Sequence, residues 1–433
     1  MNSAIKPDDP AAWLFARTTG GIRWGLERTE ELLAGVDDPH RRFRALHVGG
    51  TNGKGSVSAL CESALRAAHP GRTIGLYTSP HLVSFTERIR IDGKPVDAEL
   101  FARAEARLRT AIERTGATFF EATTALAFLC FAEAGVDLAV VEVGLGGRLD
   151  STNVITPLAT AVTNVARDHT EYLGDSLEKI AWEKGGIFKP GAPAVIGEED
   201  PFVMEVLRER AAQAGAPLVV LDAVIRMRDV QVSLEGTRFH LDSERWGAHE
   251  VRIPLVGAHQ ARNAALATEL LGVLPDDVRP SWEAIEAGFA AVRWPGRMQV
   301  VRQRGGTWIF DVAHNPAGVA ALVDTLDVLD LPRPLVLVAA VLSDKEWDEM
   351  LPPLLTRADA AILTTAPTAP EGRRWDPEYA AQSLDAKIPV RVIPDLPSAL
   401  MRAETMAPYG TILVTGSVHT VGDALAEMGI SVV

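Results

Sequence analysis

A glycine-rich stretch, GGTNGKGS at residues 49–56, contains the residue types that most directly indicate chemistry in this sequence. It follows a strand-like run and opens a helical pattern. A strand, a glycine-rich turn and a helix N-terminus together present free N–H groups and the positive end of a helix dipole, which bind polyphosphate. Lys54 would lie on the terminal phosphates of a nucleotide, and Ser56 would reach Mg²⁺. An ordinary strand–helix turn rich in glycine is the alternative.

The spacing within this loop departs from the usual nucleotide loop, G-x-x-x-x-G-K-[ST]. Val48 stands where the first glycine is expected, and Gly55 separates Lys54 from the hydroxyl residue Ser56. From the spacing alone, the stretch is a broken nucleotide loop, a chance cluster of glycines, or a loop shaped for a particular reaction.

Two other strand-like runs end in side chains that suit a cation. Glu142 lies at the end of VDLAVVEV (136–143), and Asp168 with His169 follows LATAVTNV (158–165). Ligands bind where the carboxyl ends of parallel strands meet, so these side chains are candidates for holding Mg²⁺ beside a phosphate. A solvated carboxylate and a structural histidine are the alternatives. The nearby GLGGRL is close to a dinucleotide fingerprint but lacks its last glycine, which excludes NAD binding.

Later motifs place polar residues in the same kind of position. Asp311 and His314 lie in FDVAHNPAG, and Asp344 and Lys345 lie in LSDKEW, each after a strand-like run. Helix capping and a solvated loop pair are the alternatives. Lys184 lies in EKGGIFKP, and neither its residue type nor its position predicts a chemical role for it. The default interpretation is a surface lysine at a helix end, where its charge complements the helix dipole.

A parallel sheet is required to position the first group of residues. Strand-like runs at 44–48, 73–78, 136–143, 158–165, 192–196 and 217–221 alternate with helical periodicity at 56–68, 98–114, 122–134 and 203–213. Buried strands separated by helices predict a mostly parallel sheet covered on both faces. Residues 223–256 alternate in shorter runs and predict a small antiparallel β-insert. Helical patterns resume at 258–274 and 281–292.

A second strand–helix series follows RWPGR (293–297), a Pro/Gly break typical of a domain boundary. Strands are predicted at 307–313, 334–342, 360–366, 389–393 and 411–417, and helices at 316–327, 346–356, 377–384, 397–405 and 419–428. The sequence therefore predicts an α/β protein with a P-loop domain at 1–296 and a Rossmann-like C-terminal domain at 297–433.

The composition of the 433 residues is that of a globular protein, with 47% hydrophobic and 23% charged residues. A net charge of −14 argues against nucleic-acid and anionic-membrane surfaces. The sequence has no apolar run of the ~20 residues that span a bilayer, and its start, MNSAIKPDDPAAW, does not read as a signal peptide. Cys61 and Cys130 lie in apolar helical patterns, which predicts buried thiols in a cytoplasmic protein.

Motifs from about Trp24 to Gly422 resemble those of the folylpolyglutamate synthase family, which belongs to the Mur ligase superfamily and includes bacterial bifunctional dihydrofolate synthase/folylpolyglutamate synthases. In order, they are HVGGTNGKGS, TSPHLVSFTERIRI, FFEATTALAF, VEVGLGGRLDSTN, RDHTEYLG, EKGGIFKP, GAHQARNAA, WPGR, DVAHNP, SDK and TGS. The family loop is G-T-N-G-K-G-S, so Gly55 is part of the family pattern. One departure is EKGG, where the family often has EKAG; it leaves Lys184 in place.

The resemblance implies an ATP site and a metal site. Phosphate contacts would come from Asn52, Gly53, Lys54, Gly55 and Ser56, and the rest of the ATP site from Asn263, Arg297, Asp311 and His314. Ser79, Glu142 and His169 match the family's magnesium ligands, with two Mg²⁺ ions expected. Lys184 matches a lysine that the family carbamylates, and Lys54, Lys184, His169 and Arg297 would act in catalysis.

The resemblance also implies where the other substrates bind. The pteroate pocket would be formed by Thr118, Phe119, Phe120, Glu121, Leu149, Asp150 and Ser151, and the candidates on the glutamate side are Asp344, Lys345 and Ser417. The implied reaction is ATP-dependent formation of an amide between L-glutamate and dihydropteroate or a reduced folate, through an acyl phosphate, by a monomeric enzyme.

Other functions stay open at this point. A folylpolyglutamate synthase without dihydrofolate synthase activity fits the same motifs. A Mur-type peptide ligase shares the loop, but it would normally have a further N-terminal domain, and only 48 residues precede the glycine cluster here. A nucleotide-binding scaffold without activity and a small-molecule kinase are the remaining alternatives; the kinase gives the second α/β unit no role.

Overall fold

The computed structural model describes residues 12–15, 23–303 and 305–432, and its largest sheet lies in the first half of the chain. The strands are β1 (Arg44–Gly49), β2 (Ile74–Tyr77), β3 (Ile89–Ile91), β4 (Lys94–Pro95), β5 (Leu138–Glu142), β6 (Ala159–Val162), β7 (Ala194–Ile196) and β8 (Leu218–Val220). Their order is β4-β3-β2-β5-β1-β6-β7-β8. All pairs from β2 to β8 in this order are parallel, which confirms the predicted sheet.

The antiparallel edge formed by β3 and β4 is absent from the sequence prediction. These strands have three and two residues, too few for an alternating pattern to be visible in the sequence. The edge matters for the site because β3 directly follows the segment that contains His81 and Arg88.

Helices cover both faces of this sheet. They are α1 (Ala12–Phe15), α2 (Glu27–Ala34), α3 (Lys54–Ala68), α4 (Ala98–Thr115), α5 (Phe119–Glu133), α6 (Thr170–Leu173), α7 (Leu177–Lys184), α8 (Pro201–Ala214), α9 (Leu221–Val224), α10 (Ala258–Gly272) and α11 (Trp282–Ala291). Helix α5 begins with a capping box, in which Thr118 and Glu121 each accept a backbone N–H of the other. Eleven of its residues are buried, so it lies within the core.

The β-insert consists of three antiparallel strands, β9 (Ile225–Ser233), β10 (Gly236–Ser243) and β11 (Gly247–Ile253). Its inward side chains alternate along β10, where Phe239 and Leu241 are fully buried. They share a hydrophobic core with α3, α10 and α11. The predicted insert at 223–256 is confirmed.

A second sheet occupies the last third of the chain. Its strands are β12 (Gln299–Gln303), β13 (Gly306–Phe310), β14 (Leu335–Ala339), β15 (Ala360–Leu363), β16 (Val390–Val392) and β17 (Thr411–Thr415), in the order β12-β13-β17-β14-β15-β16. Only β12 is antiparallel to its neighbour. The helices α12 (Pro316–Val328), α13 (Trp347–Leu355), α14 (Pro377–Ser383), α15 (Leu396–Met406) and α16 (Val418–Glu427) accompany it.

The loops after the carboxyl ends of the two sheets contact each other. Asn52, after β1, bonds to Asn315, after β13. Asp168, after β6, pairs with Lys345, after β14. The predicted α/β class with a β-insert is therefore confirmed, and the site lies between the two sheets. The exact domain limits, 1–296 and 297–433, stay a prediction.

Within the described residues, no helix has the length and apolar character needed to cross a membrane. Cys61 and Cys130 are buried free thiols, as predicted. Most of the N-terminal stretch MNSAIKPDDPAAW lies outside the described residues, so the signal-peptide prediction is not addressed by them.

Candidate active site

The glycine-rich loop lies against the end of β6. The Thr51 N–H donates to the Asn164 carbonyl at 2.9 Å, and the Asn52 N–H donates to Asn164 Oδ1 at 3.0 Å. Gly53 caps α3 with φ of 82°, a conformation that favours glycine. A Cβ at Gly53 would lie 2.5 Å from Asn263 Oδ1, so Asn263 fills the space left by the missing side chain. Asn263 therefore lies next to the glycine-rich loop, as expected for two parts of one ATP site.

Gly55, the residue that departs from the usual loop spacing, packs closely against the ring of Trp294. A Cβ at this position would lie 2.7 Å from Trp294 Cζ2 and 3.0 Å from Trp294 Nε1. Trp294 precedes Arg297 in the WPGR segment, and the guanidinium carbon of Arg90 lies 5.3 Å from the centroid of the Trp294 ring. The extra glycine thus lets the start of α3 pack closely against the segment that leads to the second sheet.

Lys54 and Ser56 both have polar atoms that suit a ligand. Lys54 Nζ donates to the Thr51 carbonyl at 2.9 Å, within its own loop. Ser56 is 1% exposed, and its Oγ is a buried atom without a hydrogen-bond partner among the described residues. Leaving a buried hydroxyl unsatisfied costs about 1–3 kcal/mol, which a phosphate-bound cation would relieve. Ser56 Oγ therefore fits the predicted Mg²⁺ contact.

Glu142 is held beside this loop by the sheet register. Val48 of β1 pairs with Glu142 of β5, and the Ser79 N–H donates to Glu142 Oε2 at 3.0 Å. Burial raises the pKa of Glu142, while the charges of Lys54 and Arg297 and the Ser79 hydrogen bond act against that rise. The structure brings together Ser79, Glu142 and the loop, as the sequence predicts.

Asp168 is the centre of contacts between the two sheets. Lys345 Nζ lies 2.5 Å from Asp168 Oδ1, Asn315 Nδ2 donates to Asp168 Oδ2 at 3.0 Å, and His314 Nε2 lies 3.5 Å from the same oxygen. We call Asp168, His314, Asn315 and Lys345 the interface clamp. Burial tends to raise the pKa of Asp168, but the hydrogen bond to His314 and the charges of His169, His314 and Lys345 lower it well below the usual range.

His169 has a left-handed backbone, with φ of 51°, which turns it away from the direction of β6. Its Nε2 lies 3.7 Å from Asp168 Oδ1. Burial, followed by the charges of Lys345, His314 and Lys54, lowers the pKa of His169 to about 4 against the opposing effect of Asp168. A neutral imidazole is the form that ligates metals.

The predicted metal set contains few of the usual strong ligands. No group of three or more His, Cys, Asp or Glu side chains suited to a metal is found in the part of the chain described here. The set Ser79, Glu142 and His169 includes two such side chains, and Ser56 adds an unpartnered hydroxyl. Oxygen donors of this kind suit Mg²⁺, which is usually held by one or two protein groups together with substrate phosphates.

Lys184 lies under the loop rather than on the surface. It is 3% exposed, and its Nζ donates to the Gly50 carbonyl at 2.7 Å. Burial and the nearby charge of Lys54 lower the pKa of Lys184 to about 7, against the opposing effect of Asp168. The default interpretation, a surface lysine at a helix end, is wrong because α7 directs this side chain inward.

Residues of the second sheet complete the arrangement around the loop. Asp311 accepts the backbone N–H groups of Met298 at 2.8 Å and of Ala313 at 2.9 Å. Burial raises its pKa, and Arg297 acts against that rise. The predicted ATP-site residues Arg297, Asp311 and His314 thus lie on one side of the interface, facing Glu142 and Asp168.

The residues predicted for the pteroate pocket are partly engaged with one another. Glu121 caps α5 and forms an ion pair with Arg28 at 2.7 Å. Asp150 accepts the N–H groups of Leu145 at 2.8 Å and Thr152 at 2.9 Å, which closes the GLGGRL loop. Phe120 packs on Gly144, where any Cβ would overlap its ring. Ser151 is buried and Leu149 is partly exposed, and the role of these residues in binding a pteroate stays a prediction.

The three candidates for the glutamate side are each held by another residue. Asp344 accepts from Arg373 at 2.6 Å, Ser417 accepts the Thr420 N–H at 3.0 Å as the cap of α16, and Lys345 belongs to the interface clamp. The sequence predictions do not include Asn164, Trp294, Asn315 or Arg88. Asn315 and Trp294 occur inside the quoted motifs DVAHNP and WPGR, but the sequence gives no sign of which residues they contact.

Comparisons with known proteins agree with this architecture. Residues 48–271 match the family model of the Mur ligase middle domain, and residues 296–418 match that of the Mur ligase, glutamate ligase domain. The dihydrofolate synthase/folylpolyglutamate synthase of Bacillus subtilis is 36% identical over 361 residues, which make up 81% of this chain and 83% of that protein. The Mycobacterium tuberculosis protein of the same name is 34% identical over 466 residues, covering 98% of this chain and 95% of that protein.

Solved structures are similar over nearly the whole chain. Mycobacterium tuberculosis folylpolyglutamate synthase complexed with ADP and AMPPCP has a TM-score of 0.87 and 34% identity, covering 98% of this chain and 99% of that chain. E. coli FolC in complex with DHPP and ADP has a TM-score of 0.86 and 30% identity, covering 98% of both chains. The fold and site define an ATP-dependent ligase that joins an acid to an amino acid. The chain belongs to the folylpolyglutamate synthase family of the Mur ligase superfamily.

Proposed function

We propose that this chain adds L-glutamate both to dihydropteroate and to the γ-carboxylate of reduced folates, with ATP converted to ADP and phosphate. The observation that carries the proposal is the loop itself: Lys54 and the unpartnered Ser56 Oγ lie beside the buried carboxylate of Glu142. The names of the relatives and the DHPP complex of E. coli FolC support a pteroate as one acceptor.

The chemical problem in this reaction is the acceptor carboxylate, which cannot release oxide when an amine attacks it. Transfer of the γ-phosphoryl group of ATP to one carboxylate oxygen gives an acyl phosphate, whose leaving group is phosphate. During that transfer negative charge spreads over the phosphoryl oxygens, and we assign its stabilisation to Lys54 and Arg297. The glutamate amine then attacks the acyl carbon, the amide bond forms and phosphate leaves.

The residues present fit a magnesium site, and we assign Ser56, Ser79, Glu142 and His169 to it. Mg²⁺ held by these residues would supply positive charge to neutralise the phosphates. Within the protein, the Ser79 N–H fixes one oxygen of Glu142. The predicted number of two ions is part of this proposal.

We infer that Lys184 is the carbamylation site. Its pKa of about 7 leaves a large share of neutral amine near neutral pH. The amine would attack CO₂, forming an N–C bond and losing a proton, which replaces a buried cation by an anion. Such an anion would lie near Lys54, whose charge favours it. Lys184 Nζ donates a hydrogen bond to the Gly50 carbonyl. A carbamate keeps one N–H on this nitrogen, so the same hydrogen bond could form after carbamylation.

The remaining assignments follow the resemblance. We assign Asn52, Gly53, Gly55, Asn263, Asp311 and His314 to ATP, the residues at 118–121 and 149–151 to the pteroate, and the second sheet to glutamate. A monomeric state and a cytoplasmic location are also proposed on the resemblance and composition alone.

The test is phosphate release from ATP and glutamate with dihydropteroate or tetrahydrofolate as the acceptor. The proposal predicts release that depends on both glutamate and acceptor, with each acceptor. Release with tetrahydrofolate alone would make the chain a folylpolyglutamate synthase only. Release with neither acceptor would contradict the proposal and favour an inactive nucleotide-binding scaffold, and release with a UDP-linked peptide acceptor would favour a Mur-type ligase.

A further inference from the structure

A buried arginine between the two sheets lacks an acid partner. Arg88 is 7% exposed, yet no carboxylate of the described residues lies within ion-pair distance of its guanidinium. Burying an unpaired charge is costly, and burial lowers the pKa of Arg88. In a protein with a net charge of −14, a buried cation without an anion needs an explanation.

The acids nearest to Arg88 are already engaged. The Glu87 carboxylate accepts the backbone N–H groups of Leu82, Val83 and Ser84 at 2.9, 2.9 and 2.5 Å. Glu142, whose charge Arg88 also senses, accepts the Ser79 N–H and lies in the proposed metal site. An external anion is therefore the natural partner of this guanidinium.

The guanidinium is held in one orientation. Arg88 Nε donates to His81 Nδ1 at 2.8 Å, and the guanidinium carbon lies 5.2 Å from the ring centroid of Phe119 and 5.8 Å from that of Phe85. These contacts use Nε, and none of the residues that the structure describes accepts a hydrogen bond from the terminal N–H groups of Arg88. Because His81 Nδ1 accepts, the ring carries its proton on Nε2, which is then a second donor. A guanidinium that is held in one orientation, with its terminal N–H groups available, suits bidentate hydrogen bonding to a carboxylate.

The second sheet contributes a third group to this space. His419 lies on α16 three residues before Gly422, where a Cβ would overlap the Leu82 carbonyl, so this part of the helix packs on the segment next to His81. Burial, followed by the charges of Arg373 and Arg88, lowers the pKa of His419 to about 4. His419 Nδ1 bonds to Thr368 Oγ1 at 2.9 Å, and the Thr368 N–H donates to Asp423 at 3.0 Å. This chain of contacts fixes the His419 ring within the second sheet's side of the interface.

The loop that contains His81 packs closely against α16. A Cβ at Gly422 would overlap the Leu82 carbonyl, so the helix that contains His419 packs directly on the segment next to His81. The three groups therefore come from both sides of the interface. The predicted glutamate-side candidates, by contrast, are all engaged with other residues of the chain.

We propose that Arg88, with His81 bonded to it and His419 on the facing helix α16, binds a carboxylate of one of the two substrates that the ligase joins. The proposal rests on the proposed function. Two sources share this chemistry: the carboxylate of the acceptor, which would lie on the side of Phe119 in the proposed pteroate pocket, and a carboxylate of glutamate, which would enter from the side of His419.

The test measures kcat and KM for glutamate, acceptor and ATP in the wild type and in Arg88→Lys and Arg88→Met. Loss of a forked, desolvated charge pair is expected to raise KM for one carboxylate substrate by about 30-fold or more, with KM for ATP within about twofold. A rise confined to glutamate assigns its carboxylate to Arg88, and a rise confined to the acceptor assigns the acceptor's. His419→Asn should raise the same KM by a smaller factor.

Stability provides an independent readout. Arg88→Met removes a buried charge with a side chain of similar length, so its Tm is expected to equal or exceed that of the wild type. Arg90→Lys is the matched control, since Arg90 is 8% exposed and has no ion pair with any described residue, but its guanidinium lies over Trp294. It should leave both carboxylate KM values within about twofold of the wild type.

Unchanged KM values for both carboxylate substrates in a folded Arg88→Met protein would overturn the inference, as would a fall in Tm with equal losses for all three substrates. Either result, with an active wild type, leaves the proposed function intact. A wild type without glutamate-dependent phosphate release contradicts the proposed function instead.

Discussion

The two sides of the active-site interface differ in how their polar groups are satisfied. On the side of the first sheet, no described residue bonds to Ser56 Oγ, and the hydrogen bond seen for Lys54 Nζ within this part of the chain is to a carbonyl of its own loop. On the side of the second sheet, Asp344 is paired with Arg373 and Lys345 with Asp168. Unsatisfied groups mark where a ligand binds, whereas satisfied ones mark where the two sheets hold each other. This contrast supports the proposal that the phosphates bind mainly against the first side, while the second side adds Arg297, Asp311 and His314 and holds the two sheets together.

The largest effect should come from the unsatisfied side. Lys54→Met removes the cation assigned to the phosphates, and kcat/KM is expected to fall by about 10³-fold, the upper range for loss of one group that stabilises transition-state charge. Steady-state phosphate release measures it. Lys179→Met is the control, because that lysine is exposed and pairs only with Asp175. A loss of less than tenfold in Lys54→Met would remove Lys54 from the mechanism.

The interface clamp should affect stability as much as activity. Asp168→Asn leaves Lys345, which is 9% exposed in its side chain, without its counter-charge, and breaking such a buried pair costs about 3 kcal/mol. Urea unfolding measures the loss. In the double variant with Lys345→Met, the two losses should be clearly less than additive, because they remove the same contact. Additive losses would show that the pair does not act as a clamp.

The contact between Gly55 and Trp294 should have a moderate effect. Gly55→Ala places a methyl group 2.7 Å from a ring carbon of Trp294, and overpacking of this kind costs about 1–3 kcal/mol. Trp294→Leu should restore part of the stability of Gly55→Ala. Gly71→Ala is the matched control, since nothing lies within 4 Å of a Cβ there. Equal free energies of unfolding for the two alanine variants would contradict the close-packing account of this loop.

A further prediction concerns the pH dependence of stability that Lys184 contributes. The folded pKa is about 7, below the unfolded value of about 10.4. Between these values the unfolded chain binds more protons, so the free energy of unfolding due to this group rises with pH across the window. In CO₂-free buffer, Lys184→Met should lack that rise and should be more stable relative to the wild type at neutral pH than at high pH. The same pH slope in both proteins would place Lys184 in a solvated position.

The sequence predicts the fold better than the site because the two depend on different kinds of information. Alternating apolar runs locate most strands and helices, and the β3–β4 hairpin is missed because its strands are short. Motif spacing and the resemblance place Lys54, Glu142 and Asp311 at strand ends, where the structure has them. The partners across the interface depend on contacts between distant segments. The pairing of Asp168 with Lys345, and the absence of a carboxylate within ion-pair distance of Arg88 among the described residues, therefore appear only in the folded chain.

The inward position of Lys184 illustrates the same limit. Its residue type and its place at the end of α7 are typical of an exposed helix end, and the resemblance alone gave it a role. Its burial follows from the way α7 directs its last turn toward the Gly50 carbonyl, a contact between residues 134 positions apart. Local sequence contains no information about such a contact.

The most direct test of the central claim follows the oxygen atoms of the acceptor. Dihydropteroate with its carboxylate labelled by a heavy oxygen isotope is incubated with the chain, ATP and glutamate, and the released phosphate is analysed by mass spectrometry. Activation through an acyl phosphate predicts that one labelled oxygen passes to each phosphate released, in step with amide formation. Phosphate that contains no label, or label found only in the amide product, would contradict the account.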